Sequence, residues 1–427
     1  MFVSRSSLWS TLDCVDAEKT RVYLERSRSS PINLRLRRGL SLASINASLQ
    51  IIPQAIDQLK SLTVASKPGD LEIVIPHLSH PAPLLKELYL DGRYRKPQDY
   101  PVLASTISSG DLSLLCELRL QRVRTGLPWR NMVNLTAFTL KSSSVGNLGQ
   151  LLDFFESAPH LRRIALLFTT LISGGENGRL VSLDHLEKMR IIDCGPTSIL
   201  LDHLLIPVGA KLVSRPDPGN FILEDHIPRS LDNLKNISRV TEIHLHLELF
   251  ARFSGPDGQL FIMTTQINIL PSQALGSLAR FDTSKTKLLR INSILDPPMS
   301  RDLPYRALLP MKNPRTLVLS RCTGLPHTSI DALNPNTNLS EEVVCPSLEE
   351  LVFVPRLWKD DGEFDMQAVI EMAAARAPRG AKLGTIRDHA ELDPVDVLEL
   401  RKHGLRVEFG SKLDPHEDGS DLSDWHD

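Results

Sequence analysis

One spacing of apolar residues recurs along this chain, in the form L-x-x-L-x-L. Leu85, Leu88 and Leu90 make one copy, and Leu115, Leu118 and Leu120 make the next. Leu59, Leu62 and Val64 precede them. Leu135, Phe138 and Leu140, then Leu161, Ile164 and Leu166, then Leu186, Met189 and Ile191 follow. These six copies begin at 59, 85, 115, 135, 161 and 186, in steps of 26, 30, 20, 26 and 25. Later copies start at Val240 and Leu348, and Leu317 and Leu319 keep the last two positions after Pro314. Cys194 and Cys322 each stand three residues beyond a copy. The spacing is least regular over 252–313, where diverged repeats or an insertion are expected.

The final L-x-L alternates with period two, the mark of a short strand with one buried face. Helical spacing returns the chain between strands. Leu148, Leu151, Leu152 and Phe155 line one helix face, and Pro159 stops it. Thr197 is expected to cap a helix through Leu205, and Asp365 one over 366–377 before Pro378 and Gly380. Asp393 with Pro394 predicts another that ends at Gly404, before a strand over 405–409. Strands and helices in alternation predict a mostly parallel sheet. Repeated in steps close to about 20–29 residues, they predict an α/β fold of the leucine-rich-repeat-like solenoid kind, a curved sheet with helices on its convex side. The expected organisation is a lead over 1–16, a solenoid over 17–410 and a disordered acidic tail over 411–427. A doubly wound α/β enzyme is the alternative, and it calls for continuous apolar strands. Here only 71–75 (Leu-Glu-Ile-Val-Ile) suits either fold.

Composition narrows the function. Of 427 residues 41% are hydrophobic but only 5% aromatic, which fits a core of aliphatic ladders. The net charge of -2 gives no ground for a nucleic-acid or membrane partner. Charge is uneven: 21–38 is rich in arginine, and the tail carries Asp414, Glu417, Asp418, Asp421, Asp424 and Asp427. Both are expected as solvated surface or as contacts for a partner of opposite sign. The five cysteines are scattered and form no CxxC, against a disulfide framework or a structural zinc site. No leader peptide and no apolar run of membrane length stand out, so an intracellular monomer, cytoplasmic or nuclear, is expected.

Leu8, Trp9, Leu12 and Cys14, then the Leu24-Glu-Arg26-Ser27 segment, then Pro31, Ile32, Leu34 and Leu36 carry a resemblance. They resemble the start of the repeat region in fungal F-box proteins of the mushroom type, and the leucine ladder is similar throughout. That resemblance implies the substrate-recognition part of a cullin-RING ubiquitin ligase, with a protein as its target. The F-box itself, a helical segment opening with Leu-Pro, is missing before Leu8. A ligase adaptor is therefore a partner only where an F-box lies upstream. A free-standing repeat scaffold unrelated to ubiquitin is the alternative.

The outward residues of the strands are the candidate partner-binding face. They are Glu87, Tyr89 and Asp91, then Glu117, Arg119 and Gln121, with Lys141, Arg163, Lys188 and Arg190, and then Glu242, His244 and His246. Tyrosine and arginine are enriched at interface hot spots, which puts Tyr89, Arg119, Arg163 and Arg190 first. Each is equally an ordinary exposed strand residue when taken alone. His244 and His246 point the same way but lack an evident third ligand, so no metal is expected. Asp225 and His226 adjoin without a nucleophile motif. The acidic run of Asp360, Asp361, Glu363 and Asp365 lacks calcium-loop spacing, and the glycine-rich 173–178 lacks a phosphate-loop ending. No catalytic residues and no cofactor are expected.

Overall fold

The computed structural model describes residues 9–13, 17–36, 56–65, 71–72, 75–76, 81–92, 100–103, 112–125, 132–170, 178–215, 223–246, 250–256, 258–263, 275–276, 278–292, 302–320, 324–337, 342–354, 366–388 and 394–409. It is an α/β protein with a large, mostly parallel, open sheet. Two compact units divide the chain: 1–220 with 225–236, and 221–224 with 237–427.

Among the described residues the first unit holds nine main strands: β1 (Thr11–Asp13), β2 (Ile32–Leu36), β3 (Leu59–Ala65), β4 (Glu87–Asp91), β5 (Glu117–Gln121), β6 (Ala137–Lys141), β7 (Arg163–Leu167), β8 (Lys188–Ile192) and β9 (Lys211–Arg215). Each lies parallel to the next in chain order. From β4 to β8 the repeated apolar positions fall on one another. Leu88, Leu118, Phe138, Ile164 and Met189 stack in one line, and Leu90, Leu120, Leu140, Leu166 and Ile191 in a second. All ten are buried, and each contributes about 1.5–3 kcal/mol by leaving water.

The ends of the repeat are as regular as its middle. At the first leucine, a tight turn bonds Leu85, Leu115, Leu135, Leu161 and Leu186 back to the carbonyl three residues earlier. Beyond the strand, Arg122, Ser142, Phe168 and Asp193 all adopt left-handed backbone, with φ of 52°, 48°, 55° and 49°. That conformation costs each about 1–2 kcal/mol. It is offset because each N–H then donates across to the last strand carbonyl of the following repeat, at 2.6–2.9 Å. The corner turns the next residue inward: Val123, Ser143, Thr169 and Cys194 are all buried. Three of these satisfy backbone carbonyls, Ser143 on Lys141, Thr169 on Leu140 and Leu167, and Cys194 on Leu166 and Ile192. Cys194 is thus a small buried donor, and burial pushes its thiol up to about 11.

Helices α1 (Ala17–Ser27), α2 (Leu148–Ser157) and α3 (Ser198–Leu201) return the chain in this unit. Asn147 caps α2 by accepting from the Gln150 N–H, and Pro159 follows its end as expected. The helix expected from Thr197 to Leu205 stops at Leu201 instead. Leu204–Leu205 is a strand paired with Val181–Ser182, and Thr197 spends its hydroxyl on other partners. Leu71 and Glu72 are helical, not extended.

The second unit holds β10 (Glu242–His246), β11 (Phe250–Gly255), β12 (Gly258–Met263), β13 (Leu288–Asn292), β14 (Thr316–Ser320), β15 (Glu350–Val354), β16 (Thr385–Asp388) and β17 (Arg406–Phe409). β10 and β13 through β17 run parallel in that order. The irregular stretch contains a hairpin: β11 returns antiparallel along β10, and β12 along β11. Helices α4 (Asp302–Leu308), α5 (Gly324–Leu333), α6 (Met366–Arg376) and α7 (Pro394–Lys402) complete the unit. Gly380 and Gly404, at φ 77° and 76°, end the last two helical segments. Among the described residues no helix is long and apolar enough to cross a membrane.

Candidate functional site

Parallel pairing without slippage aligns the outward residues of β4 to β9 in three rows. The first runs Glu87, Glu117, Ala137, Arg163, Lys188, Lys211. The second runs Tyr89, Arg119, Thr139, Ala165, Arg190, Val213. The third runs Asp91, Gln121, Lys141, Leu167, Ile192, Arg215. Ten of the thirteen sequence-derived candidates therefore share one face of the first unit. Lys211 and Arg215 join them, missed because β9 lacks the leading leucine: Gly209 stands there.

The face is electrostatically graded. Its acids sit on β4 and β5, while its bases begin with Arg119 on β5 and Lys141 on β6 and are most numerous on β7 to β9. Arg119 already bonds Glu117 beside it. The Tyr89 hydroxyl lies 3.2 Å from the side-chain amide of Gln121. Arg190 is held below its ordinary value, first by burial and then by Arg215 nearby; a guanidinium stays charged even so. Arg215 reaches Asp193 at 3.4 Å.

Asp91 departs from the expected outward position. It is 2% exposed and paired with Arg122 at 3.1 Å. At the strand end the chain is already turning, which brings this carboxylate under the guanidinium of the next corner.

The other three candidates lie in the second unit. Glu242 is exposed, His244 half-buried, and His246 only 6% exposed, its ring tilted against Phe250 at 5.4 Å. His246 is thus no open contact. His244 pairs across to Arg252 on β11 and Arg290 on β13. Burial, then Arg290 and Arg252, push its imidazole down to about 4. Among the described residues no three His, Cys, Asp or Glu side chains group where a metal could be held.

A hydroxyl–imidazole cluster that sequence did not single out lies inside the first unit. Thr197 Oγ1 is 3.1 Å from His226 Nδ1 and 3.2 Å from Ser214 Oγ. The arrangement looks like a nucleophile beside a base. However, Thr197, Ser214 and His226 are 0%, 2% and 3% exposed, and Thr197 also bonds the His226 backbone carbonyl. The cluster ties a loop to the core. Burial pushes the His226 imidazole down to about 4.

These two histidines set a pH dependence. Each is neutral in the folded chain down to about 4 but protonates near 6.5 when unfolded. Their contribution is complete above pH 6.5 and is lost as pH falls toward 4. Urea unfolding is expected to show about 1–2 kcal/mol lost per imidazole between pH 7 and pH 5. His226→Gln should flatten its share of that slope.

Among the described residues of the segment that carries the F-box-family resemblance, several meet one another. The Arg26 guanidinium lies over the Trp9 ring at 4.7 Å, and Tyr23 meets that ring edge-on at 4.9 Å. Ser27 is buried and donates to the Leu24 carbonyl at 2.8 Å. Arg37, Arg38, the glycine-rich 173–177, the acidic run 360–365 and the tail lie outside the described residues, as do Cys14 and Cys322. Compared with models of known families and with curated proteins, the chain matches none.

Proposed function

We propose that this chain is a protein-binding module without catalytic chemistry, a leucine-rich-repeat-like solenoid that recognises its partner through the outward face of β4 to β9. The register supports this most. It holds Tyr89, Arg119, Arg163 and Arg190 on a rigid ladder at about 4.8 Å per strand. A partner meeting such a face spends little free energy on ordering it. Tyrosine and arginine supply large contact area with polar tips. The grading from acid to base orients the partner, because only one alignment brings unlike charges together.

The resemblance of 8–36 to F-box proteins supplies the setting. In that setting the chain works inside the cell as the substrate-recognition part of a ubiquitin-ligase receptor, and the partner is a protein marked for modification. A tagged full-length chain and its Tyr89→Ala/Arg119→Glu/Arg163→Glu variant, captured from the native cells, test the face. The wild type is expected to enrich a protein that the variant loses while keeping its unfolding midpoint. Equal enrichment by both removes the face from the account. If deleting the chain leaves that protein's abundance unchanged, the ubiquitin setting falls and a scaffold remains.

A further inference from the structure

The ends at which the chain enters β10 and β13 to β16 form a groove of about 660 Å³ in the second unit. Among the described residues five cations line it, Arg239, Lys285, Lys287, Arg315 and Lys382, against the one carboxylate of Glu349. That carboxylate already faces Arg315 at 3.8 Å. Lys285, Lys287, Arg315 and Lys382 are all exposed.

The backbone there offers a ligand little. The N–H groups of Lys287, Arg315, Glu349 and Gly384 are all bonded to the preceding repeat. Recognition falls to side chains, and those are cationic. Neighbouring like charges repel, a cost that an anionic ligand removes.

We propose that this groove is a binding site for an acidic polypeptide segment in extended form. The five strands span about 19 Å at about 4.8 Å each, the length of about six extended residues. Side chains of an extended chain return to one side every second residue, so a segment of about six residues turns about three acidic side chains toward the five cations. A nucleic-acid strand carries the same charge but also needs flat rings on which to stack its bases. Among the described residues the lining has no aromatic side chain, and its apolar members are Pro256, Pro346 and Leu348. The Glu349 carboxylate, at the entry to the fourth of the five strands, would oppose a continuous run of phosphates.

The site is separate from the β4–β9 face and does not rest on that assignment. Fluorescence anisotropy of the full-length chain tests it, with three labelled probes. These are a short peptide of alternating glutamate and serine, the same peptide with glutamine for glutamate, and an oligothymidylate of matched length. The acidic peptide is expected to bind, to weaken as salt rises, and to bind best of the three. Lys287→Glu/Lys382→Glu should weaken it roughly tenfold or more, while Lys235→Glu, at an exposed lysine of the other unit, should leave it unchanged. Tyr89→Ala/Arg119→Glu/Arg163→Glu should bind the peptide as the wild type does, which separates this site from the sheet face. Failure of the acidic peptide to bind overturns the proposal. So does affinity that ignores the double charge reversal, or tighter binding of the oligothymidylate.

Discussion

Arg376→Met is expected to lower the unfolding free energy by about 3–5 kcal/mol. Arg376 is fully buried at the end of α6. Its guanidinium donates to the carbonyls of Leu333 at 3.2 Å, Val344 at 2.7 Å and Cys345 at 2.7 Å. Leu333 is the last residue of α5, so one bond serves a carbonyl that no helical N–H can reach. Cys345 sits in left-handed backbone at φ 48°, and the arginine holds that corner in place. Burial pushes the Cys345 thiol up to about 12, so it supplies no counter-charge. Methionine fills similar space and donates nothing, leaving the Leu333 and Val344 carbonyls without the guanidinium's bonds and the Cys345 carbonyl with only the Leu348 N–H at 3.0 Å. Arg376→Lys keeps one compact charge and should lose less. Urea unfolding followed by circular dichroism measures both; a loss below about 1 kcal/mol for Arg376→Met would remove the fork from the account.

Gly92→Ala is expected to cost about 3 kcal/mol. Gly92 follows β4, and a Cβ there would stand 2.4 Å from the Arg122 carbonyl oxygen and 3.1 Å from the Pro101 ring. The oxygen belongs to backbone and cannot swing aside. Movement of Gly92 would break its N–H bond to Gln121, now 2.9 Å. Gly195→Ala is the contrast. Gly195 has φ of 76° and nothing within 4 Å of its absent Cβ, so it carries only the left-handed penalty of about 1–2 kcal/mol. Equal losses at the two positions would mean that close approach at Gly92 is relieved.

Much of the first unit was legible because its repeats obey a strict local rule. From β4 to β8, buried residues sit at the first, fourth and sixth positions, and the strand falls where period two predicts it. Legibility failed where another residue does the leucine's work. Before β13 the first position is Thr286, fully buried because its hydroxyl bonds the Val240 carbonyl at 3.3 Å. Before β9 that position is Gly209 in left-handed backbone, and the leucine's work falls to Ala210, fully buried with its N–H turned back to the Pro207 carbonyl. The hairpin of β11 and β12 pairs antiparallel, so it has no place in a count of repeats.

The face was legible for the same reason as the strands: the residue between two buried ones points out. Asp91 and His246 broke the rule at strand ends, where the chain is already turning. The Thr197–Ser214–His226 cluster was invisible because its members meet only through the fold. The basic groove was missed because its cations precede the strands, at positions where period two is silent.

Site-specific photo-crosslinking in native cells tests the central claim most directly. A benzophenone amino acid replaces Tyr89 or Arg119 on the face, or Val102, which is 52% exposed in a separate sheet formed by Val102–Leu103, Arg124–Thr125 and Ser144–Val145. The face positions are expected to yield a discrete crosslinked protein that Val102 does not. Crosslinks that form equally at Val102, or only there, would contradict recognition by the β4–β9 face.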